Sequence, residues 1–491
     1  MKRIFSFILI VFTVCILASC GTKLELKGSV DQGDMDFNPK SSVGYVGDVM
    51  PFFDNNELNI YYLQDGRNTN LGFHPFAMMS TTDFISYKDH GVVIPFENDL
   101  YSPDLALGTG SVIKDKNGLY HCFYTGYNGN KSSGLPYFEK IQHATSTDKI
   151  NWIKHPEHGF YGGQNDFRDP YVYYNASDDT YYMLITTRAN NSGVIKQYKS
   201  KDLISWTDNG IFFKNDSGSY NMECPTFLEY NGYYYLSYSE QGNHRVTHYR
   251  YKKNLSDEWI KPEVYYVDGE GLYAGRMEKA FGGLYMFGWC GTKDGKFDNV
   301  GFDWGGNLVT HKLIQMPNGE LKPTIVDQID DKLSTGVEYK LTNGDKLDTL
   351  KFEQSKAQSY VVEQLSNNIT KIKFTINPTS LDGDCGISFG TIGPNVLSSL
   401  VLSFDFKKNT ISYYNNAVNF QNYGSAQIAV PYKYTIDEVI NVTIIVNDSI
   451  ITVYANDTIA LTARIYEMVN NKFSFYGNNT SATIENIKFY E

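Results

Sequence analysis

Tyr181-Tyr182-Met183-Leu184-Ile185 and Tyr233-Tyr234-Tyr235-Leu236-Ser237-Tyr238 are alternating aromatic and apolar runs bounded by turn residues, Asp178-Asp179 and Asn231-Gly232. Such runs predict β-strands. Each follows an acid in a distinctive setting: Phe167-Arg168-Asp169-Pro170 before the first and Met222-Glu223-Cys224-Pro225 before the second. The acid therefore lies on one strand, and the next strand follows a tight turn.

Working outward, the same signal recurs as Leu58-Asn59-Ile60-Tyr61-Tyr62, Leu119-Tyr120-His121-Cys122-Phe123-Tyr124 and Leu284-Tyr285-Met286-Phe287-Gly288-Trp289. The five starts are roughly 50 to 60 residues apart, the period of a propeller blade. A second signal falls between them: Thr82-Asp83-Phe84-Ile85-Ser86-Tyr87, Thr147-Asp148-Lys149-Ile150-Asn151-Trp152 and Lys201-Asp202-Leu203-Ile204-Ser205-Trp206, with a weaker copy at Ser256-Asp257-Glu258-Trp259. Each reads as a turn leading into the outer strand of a blade. The expected fold is all-β: a five-bladed propeller over residues 43–329, with blade boundaries near 95, 160, 214 and 267. In such a fold the first strand of every blade lines the central channel, and equivalent strand ends converge on one mouth.

That geometry selects acids. Asp48, Asp169 and Glu223 precede their strand signals by ten, twelve and ten residues. The equivalent places in the second and fifth blades hold Thr109-Gly110-Ser111 and Leu272-Tyr273-Ala274. An aspartate in such a place can simply cap a turn, but three acids in register point to a shared site. Glycoside hydrolysis needs a protonated and an ionised carboxyl group flanking the scissile bond. Burial and neighbouring negative charge raise the pKa of the acid. A third carboxylate can bind hydroxyls and stabilise developing positive charge, and Arg168 is expected to hold Asp169 ionised.

These motifs resemble glycoside hydrolase family 32, the fructan and sucrose hydrolases. Arg168-Asp169-Pro170 and Glu223-Cys224-Pro225 match that family's Arg-Asp-Pro and Glu-Cys-Pro motifs. Gly108-Thr109-Gly110-Ser111 resembles its Phe-Ser-Gly-Ser segment, Phe123-Tyr124-Thr125-Gly126 follows as in the family, and Trp304-Gly305-Gly306 resembles its Trp-(Ala/Gly)-Gly segment. Order and spacing agree over roughly residues 44 to 330. The resemblance implies Asp48 as nucleophile, Glu223 as general acid/base and Asp169 as transition-state stabiliser in a retaining β-fructofuranosidase-like enzyme. It implies sugar contacts from Gln64, Thr109, Arg168 and Trp289, and no metal or other cofactor. The family's Trp-Met-Asn-Asp-Pro-Asn-Gly segment reads Tyr45-Val46-Gly47-Asp48-Val49-Met50-Pro51 here; only the Asp survives, and Gly47 replaces a fructose-contacting Asn. Asp54 is a rival nucleophile, although the spacing to Gln64 favours Asp48. Two alternatives stay open: an inverting enzyme like glycoside hydrolase family 43, and a surface glycan-binding protein without turnover.

After residue 329 the pattern changes. Residues 330–349 are charged and Gly-containing and read as a linker. Residues 350–491 return to short alternating runs, such as Val442-Thr443-Ile444-Ile445-Val446 and Ile450-Ile451-Thr452-Val453-Tyr454, and read as a β-sandwich. Family 32 enzymes also carry one.

The beginning reads as a targeting segment. Lys2-Arg3 precedes an apolar run, Ile4 to Leu17, that is short for a membrane span. Leu17-Ala18-Ser19-Cys20-Gly21 resembles a bacterial lipoprotein signal, with cleavage before Cys20, lipidation of Cys20, and residues 20–42 as a polar tether. The expected location is the bacterial cell envelope, with membrane contact only through the lipid. The formal charge of −12 argues against nucleic acid, and the family resemblance implies an oligo- or polysaccharide as the partner. Cys122, Cys224, Cys290 and Cys385 form no zinc spacing and read as buried thiols. The nine histidines look scattered, and His121 reads as a core residue rather than a ligand.

Overall fold

The computed structural model describes residues 37–67, 74–242, 244–363, 369–390, 399–466 and 472–491. Cys20 and the signal segment lie outside them. Four antiparallel groups follow the chain in turn: β1 (Tyr45–Asp54), β2 (Glu57–Asp65), β3 (Phe76–Thr81) and β4 (Lys88–Ile94); β5 (Ala106–Lys114), β6 (Tyr120–Tyr127), β7 (Glu139–Ser146) and β8 (Trp152–Lys154); β9 (Arg168–Asn175), β10 (Thr180–Ala189), β11 (Ser192–Ser200) and β12 (Thr207–Lys214); β13 (Met222–Tyr230), β14 (Tyr233–Glu240) and β15 (Thr247–Lys252). A fifth comprises β16 (Tyr273–Ala280), β17 (Gly283–Lys293), β18 (Phe302–Gln315) and β19 (Leu321–Thr324). The first strands β1, β5, β9, β13 and β16 touch one another in a closed ring. These are the five blades.

The aromatic runs are not the channel-lining strands. They fall on β2, β6, β10, β14 and β17, each the second strand of its blade. Second strands are buried on both faces, so they read as continuous apolar runs. The acids belong to the preceding, innermost strands.

The recurring Asp signal has one physical role. Oδ1 of Asp83, Asp148 and Asp202 each accepts two backbone N–H groups, those of Ile85 and Ser86, Ile150 and Asn151, and Ile204 and Ser205, at 2.8–3.0 Å. Each holds a turn whose next residue, Phe84, Lys149 or Leu203, has a left-handed backbone. These bonds draw all three carboxyl groups below their ordinary pKa. In the fourth blade an isolated bridge, Tyr251 with Ile260, stands in place of an outer strand.

A short helix, α1 (Asp327–Lys332), leaves the propeller. Beyond it two sheets pack as a sandwich. One contains Ile369–Pro378, Ile440–Asn447, Ile450–Ala455, Ile459–Arg464 and Ala482–Tyr490. The other contains Ala357–Val362, Asp384–Phe389, Leu400–Asp405, Thr410–Tyr414, Ile428–Pro431 and Phe473–Asn478. Their inward faces form one core that includes Phe374, Ile387, Phe404, Ile444 and Phe475.

Two segments expected to be free are anchored. Within residues 330–349, Asp330 accepts a hydrogen bond from Lys371 Nζ at 2.6 Å, and Gly336–Val337 pairs with the last strand. At the end of the expected tether, Phe37 is buried in the propeller core, and Asn38 bonds both the Leu308 carbonyl and the Asn447 side chain, each at 3.0 Å. The propeller and sandwich are joined by buried polar contacts. Asp268 accepts the Thr462 backbone N–H at 2.8 Å and sits 2.9 Å from His311 Nε2. Arg464 donates to the carbonyls of Cys290 and Gly291. All four described cysteines are buried and free.

Candidate active site

Each innermost strand slips register by one residue near the same end. Asp48 falls between the pairs Gly47–Leu63 and Val49–Tyr62, and Thr109 between Gly108–Thr125 and Gly110–Tyr124. Asp169-Pro170, Cys224-Pro225 and Ala274-Gly275 each oppose a single residue on their second strand. Such a bulge re-aims the side chain it carries. Asp169, Cys224 and Ala274 adopt positive φ there, 59°, 53° and 52°. Spacing alone puts Glu223 in register with Asp48 and Asp169. Strand pairing corrects this: Cys224 holds their position, and Glu223 lies one residue earlier, level with Arg168 and Tyr273.

That offset builds the hydrogen bonding. Arg168 and Tyr273, at the same level on the flanking blades, both reach Glu223. Arg168 donates Nη2–H to Oε1 at 3.0 Å, and Tyr273 donates O–H to Oε2 at 2.7 Å. Gln241 Nε2 adds a bond to Oε1 at 2.7 Å. Asp48 accepts from Trp289 Nε1 at 3.1 Å and Thr109 Oγ1 at 3.2 Å. Asp169, 3% exposed, accepts the Cys224 N–H at 3.0 Å, and its own N–H donates to Thr125 Oγ1. Arg168 was expected to hold Asp169. Its hydrogen bonds go to Glu223, Glu139 and Asp166, so it reaches Asp169 through its charge.

Burial pushes the Glu223 carboxyl up to about 7. The Arg168 charge and the Tyr273 hydrogen bond pull it down, while the charges of Asp169 and Asp48 push it up. Asp48 is also raised, by burial first and then by Asp169, against hydrogen bonds from Trp289 and Thr109 and the charge of Arg276. One acid is thus poised to hold a proton near neutrality while being hydrogen-bonded in a fixed orientation.

Beside the acids opens a cavity of about 320 Å³ lined by Arg245, Tyr273, Trp289 and Trp304 and closed on one side by Gln427 of the sandwich. Trp304 packs edge-on to Trp289, with ring centres 5.8 Å apart, and stacks on His74 at 4.2 Å. Gly47 is explained by this wall: a Cβ there would lie 2.2 Å from Trp304 Cη2. Gln64 is buried, and its Oε1 has no hydrogen-bond partner among the described residues. Asp54 lies at the far end of β1, paired with Lys114 at 3.1 Å and Tyr120 at 2.8 Å, away from Asp48.

Sequence reasoning misses Tyr273, Gln241, Arg245 and Arg276. Tyr273 sits at the fifth-blade equivalent of Arg168 and Glu223, a signal that bulge counting would have exposed. Arg276 is a fully buried charged residue on β16, with its guanidinium charge acting on Asp48. Arg245 lies over the Tyr273 ring at 4.4 Å. Among the described residues, the cluster of side chains placed to share a metal ion is His155, Glu157 and His158, none of them at the acids.

The chain is 24% identical over 331 residues to sucrose-6-phosphate hydrolase of Vibrio alginolyticus, covering 62% of this chain and 66% of that protein. It is 24% identical over 273 residues to a levanbiose-producing levanase of Geobacillus stearothermophilus, covering 52% and 59%. The matched region thus spans less than two thirds of these relatives. Among solved structures, β-fructofuranosidase of Aspergillus kawachii superimposes with a TM-score of 0.72 at 17% identity, covering 95% of both chains. Fructan 1-exohydrolase IIa of Cichorium intybus gives 0.71 at 13% identity, covering 92% of this chain and 96% of that one. The family models for the N-terminal domain and C-terminal region of glycosyl hydrolases family 32 match residues 44–324 and 334–491. Since these stretches take in all five blades and the sandwich, the chain belongs to glycosyl hydrolases family 32.

Proposed function

We propose that the chain hydrolyses β-fructofuranosidic bonds in fructan- or sucrose-type saccharides with retention of configuration. In this reading Glu223 protonates the leaving oxygen while Asp48 attacks the anomeric carbon. Water, deprotonated by Glu223, then attacks the anomeric carbon of the glycosyl enzyme, releasing the sugar and the Asp48 carboxylate. Asp169, held by the Cys224 N–H, stabilises the positive charge that develops on the ring. Gln64, Thr109, Arg168 and Trp289 bind or orient the sugar and the acids. The observation that carries the reading is Glu223, raised to about 7 by burial between Asp169 and Asp48 yet fixed by Arg168, Gln241 and Tyr273. A release assay on sucrose, sucrose 6-phosphate, inulin, levan and arabinan tests it. Fructose released with its β configuration supports the proposal. An inverted product points to the family 43-like alternative, and saturable glycan binding without release points to a binding protein.

The same proposal includes the location. Cys20 after Leu17-Ala18-Ser19 supports a lipid-anchored protein of the bacterial cell envelope, tethered through residues 20–36 to the anchored Phe37. Cys20→Ser is expected to move the protein from the membrane fraction to the soluble fraction. Continued sedimentation with membranes would place the anchor elsewhere.

A further inference from the structure

After β8, His155 leads into a single 3-10 turn, Pro156–His158, with Gly159 following it. It does not stand alone. Pairing of β6 with β7 sets His121 beside Thr145 and Phe123 beside His143, and the turn folds back over that pair. Four histidines that are far apart in sequence become one cluster.

In it, Glu157 Oε1 lies 3.5 Å from His155 Nδ1 and 3.6 Å from His158 Nε2. The three ligand atoms all fall within 4.8 Å of one another. Zinc–ligand bonds of 2.0–2.1 Å in tetrahedral geometry put neighbouring ligand atoms about 3.3 Å apart. The cluster therefore needs only small movements to close on an ion.

The outward nitrogens are already committed. His155 Nε2 meets Thr145 Oγ1 at 2.8 Å, and His158 Nδ1 meets His143 Nδ1 at 3.0 Å. His143 Nε2 meets His121 Nδ1 at 2.9 Å, and His121 Nε2 faces Asp115 Oδ2 at 3.7 Å. A metal on His158 Nε2 would leave the ring proton on Nδ1, donating to His143. His143 would then donate from Nε2 to His121, and His121 would present its own proton to Asp115. One tautomer assignment satisfies the contacts from His158 through His143 to His121 and leaves the His121 Nε2 proton facing the Asp115 carboxylate at 3.7 Å, a charge contact rather than a hydrogen bond; such outer partners orient imidazole ligands in metal sites.

We propose that His155 Nδ1, the Glu157 carboxylate and His158 Nε2 form a binding site for one divalent transition-metal ion of the zinc class. Two imidazoles and one carboxylate suit such an ion, whereas magnesium and calcium select all-oxygen sets. Glu157, 63% exposed, leaves the remaining coordination position open to solvent. The ion would fix the shape of the turn, which Thr145 and His143 already hold against blade two, just before Phe160, which pairs with Ile141 at 3.0 Å in both directions. This connection then runs on to Asp166, a partner of Arg168. The inference is independent of the glycosidase reading.

The test uses the full chain purified without a polyhistidine tag, stripped with chelator and titrated with Zn²⁺ by calorimetry, with melting temperature followed in parallel. One ion per chain and a raised melting temperature are expected. Glu157→Ala and His155→Ala should each weaken binding about tenfold or more, and Thr145→Val about tenfold through the lost support of His155. His244→Ala, which removes a histidine packed edge-on to Tyr266 elsewhere, should bind as the unaltered chain does. Glu157 and His155 are accessible enough that these substitutions leave the fold intact, which the melting curve of the metal-free variants checks. Substoichiometric binding by the unaltered chain, or affinity undiminished by Glu157→Ala and His155→Ala, would overturn the proposal.

Discussion

With Asp48 as the proposed nucleophile, Asp48→Ala is expected to lower turnover on every substrate by roughly 10⁴-fold or more, because the group that would form the covalent intermediate is gone. Glu223→Ala behaves differently. Without a proton donor, cleavage of sucrose or fructan falls by about 10²–10⁴-fold. Substrates with a good leaving group need little protonation to depart, so an activated aryl fructoside still forms the intermediate. Its breakdown then lacks the base that activates water. Added azide needs no base and restores turnover, giving a fructosyl azide of retained configuration. The measurement is product identity and rate with and without azide for both variants. Azide rescue of Asp48→Ala to an inverted product would be compatible with the nucleophile role; wild-type turnover to an inverted sugar would end it.

The pH profile carries the second large effect. As the proposed acid, Glu223 must hold its proton in the first step, so kcat/KM is expected to be high below its pKa and to fall tenfold per pH unit above about 7. On the acid side activity falls as Asp48 takes up a proton, at a pH above the ordinary aspartate range because its burial and Asp169 favour the neutral form. Substitutions on the two sides of Glu223 move the alkaline limb in opposite directions. Tyr273→Phe removes a hydrogen bond that favours the carboxylate, so the limb moves to higher pH. Asp169→Asn removes a negative charge that opposes ionisation, so the limb of the residual activity moves to lower pH. A shift of about one unit in either case corresponds to ~1.4 kcal/mol. Profiles that both stay in place, or move the same way, would show that another group sets the limb.

The blades were readable because their second strands are buried on both faces, which turns Tyr233 to Tyr238 and its counterparts into unbroken apolar runs. The innermost strands were harder to see. They are interrupted by bulges and carry Asp48, Thr109, Arg168 and Glu223, so apolar patterning passes over them. The same bulges explain the error in register. A single extra residue changes which side chain points into the mouth, and residue counting cannot say where it is inserted. Counting therefore sets Glu223 level with Asp169 and shows Tyr273 only as a position without an acid. Arg168 was paired with its sequence neighbour, whereas strand geometry directs its guanidinium across to the next blade. The histidines looked scattered because His121, His143, His155 and His158 meet only through the pairing of separate strands and a folded-back turn. At the level of sequence Gly47 reads as a missing fructose-contacting Asn; beside Trp304 it is the residue that makes room for an indole.

The ring of first strands closes between β16 and β1, elements at opposite ends of the propeller sequence. Trp289 reaches Asp48 across 241 residues, and β1 pairs with β18 through Val46 and Gly306. A ribosome must therefore finish the fifth blade before the first one has a neighbour on both sides, and contacts of such long separation form slowly. Until then Asp48 is an ordinary aspartate on an open strand edge, without its indole donor and without the burial that shifts its proton. Catalytic competence on this reading is a late event in biosynthesis: a chain that ends between the fourth and fifth blades carries all three acids and has no closed mouth to gather them.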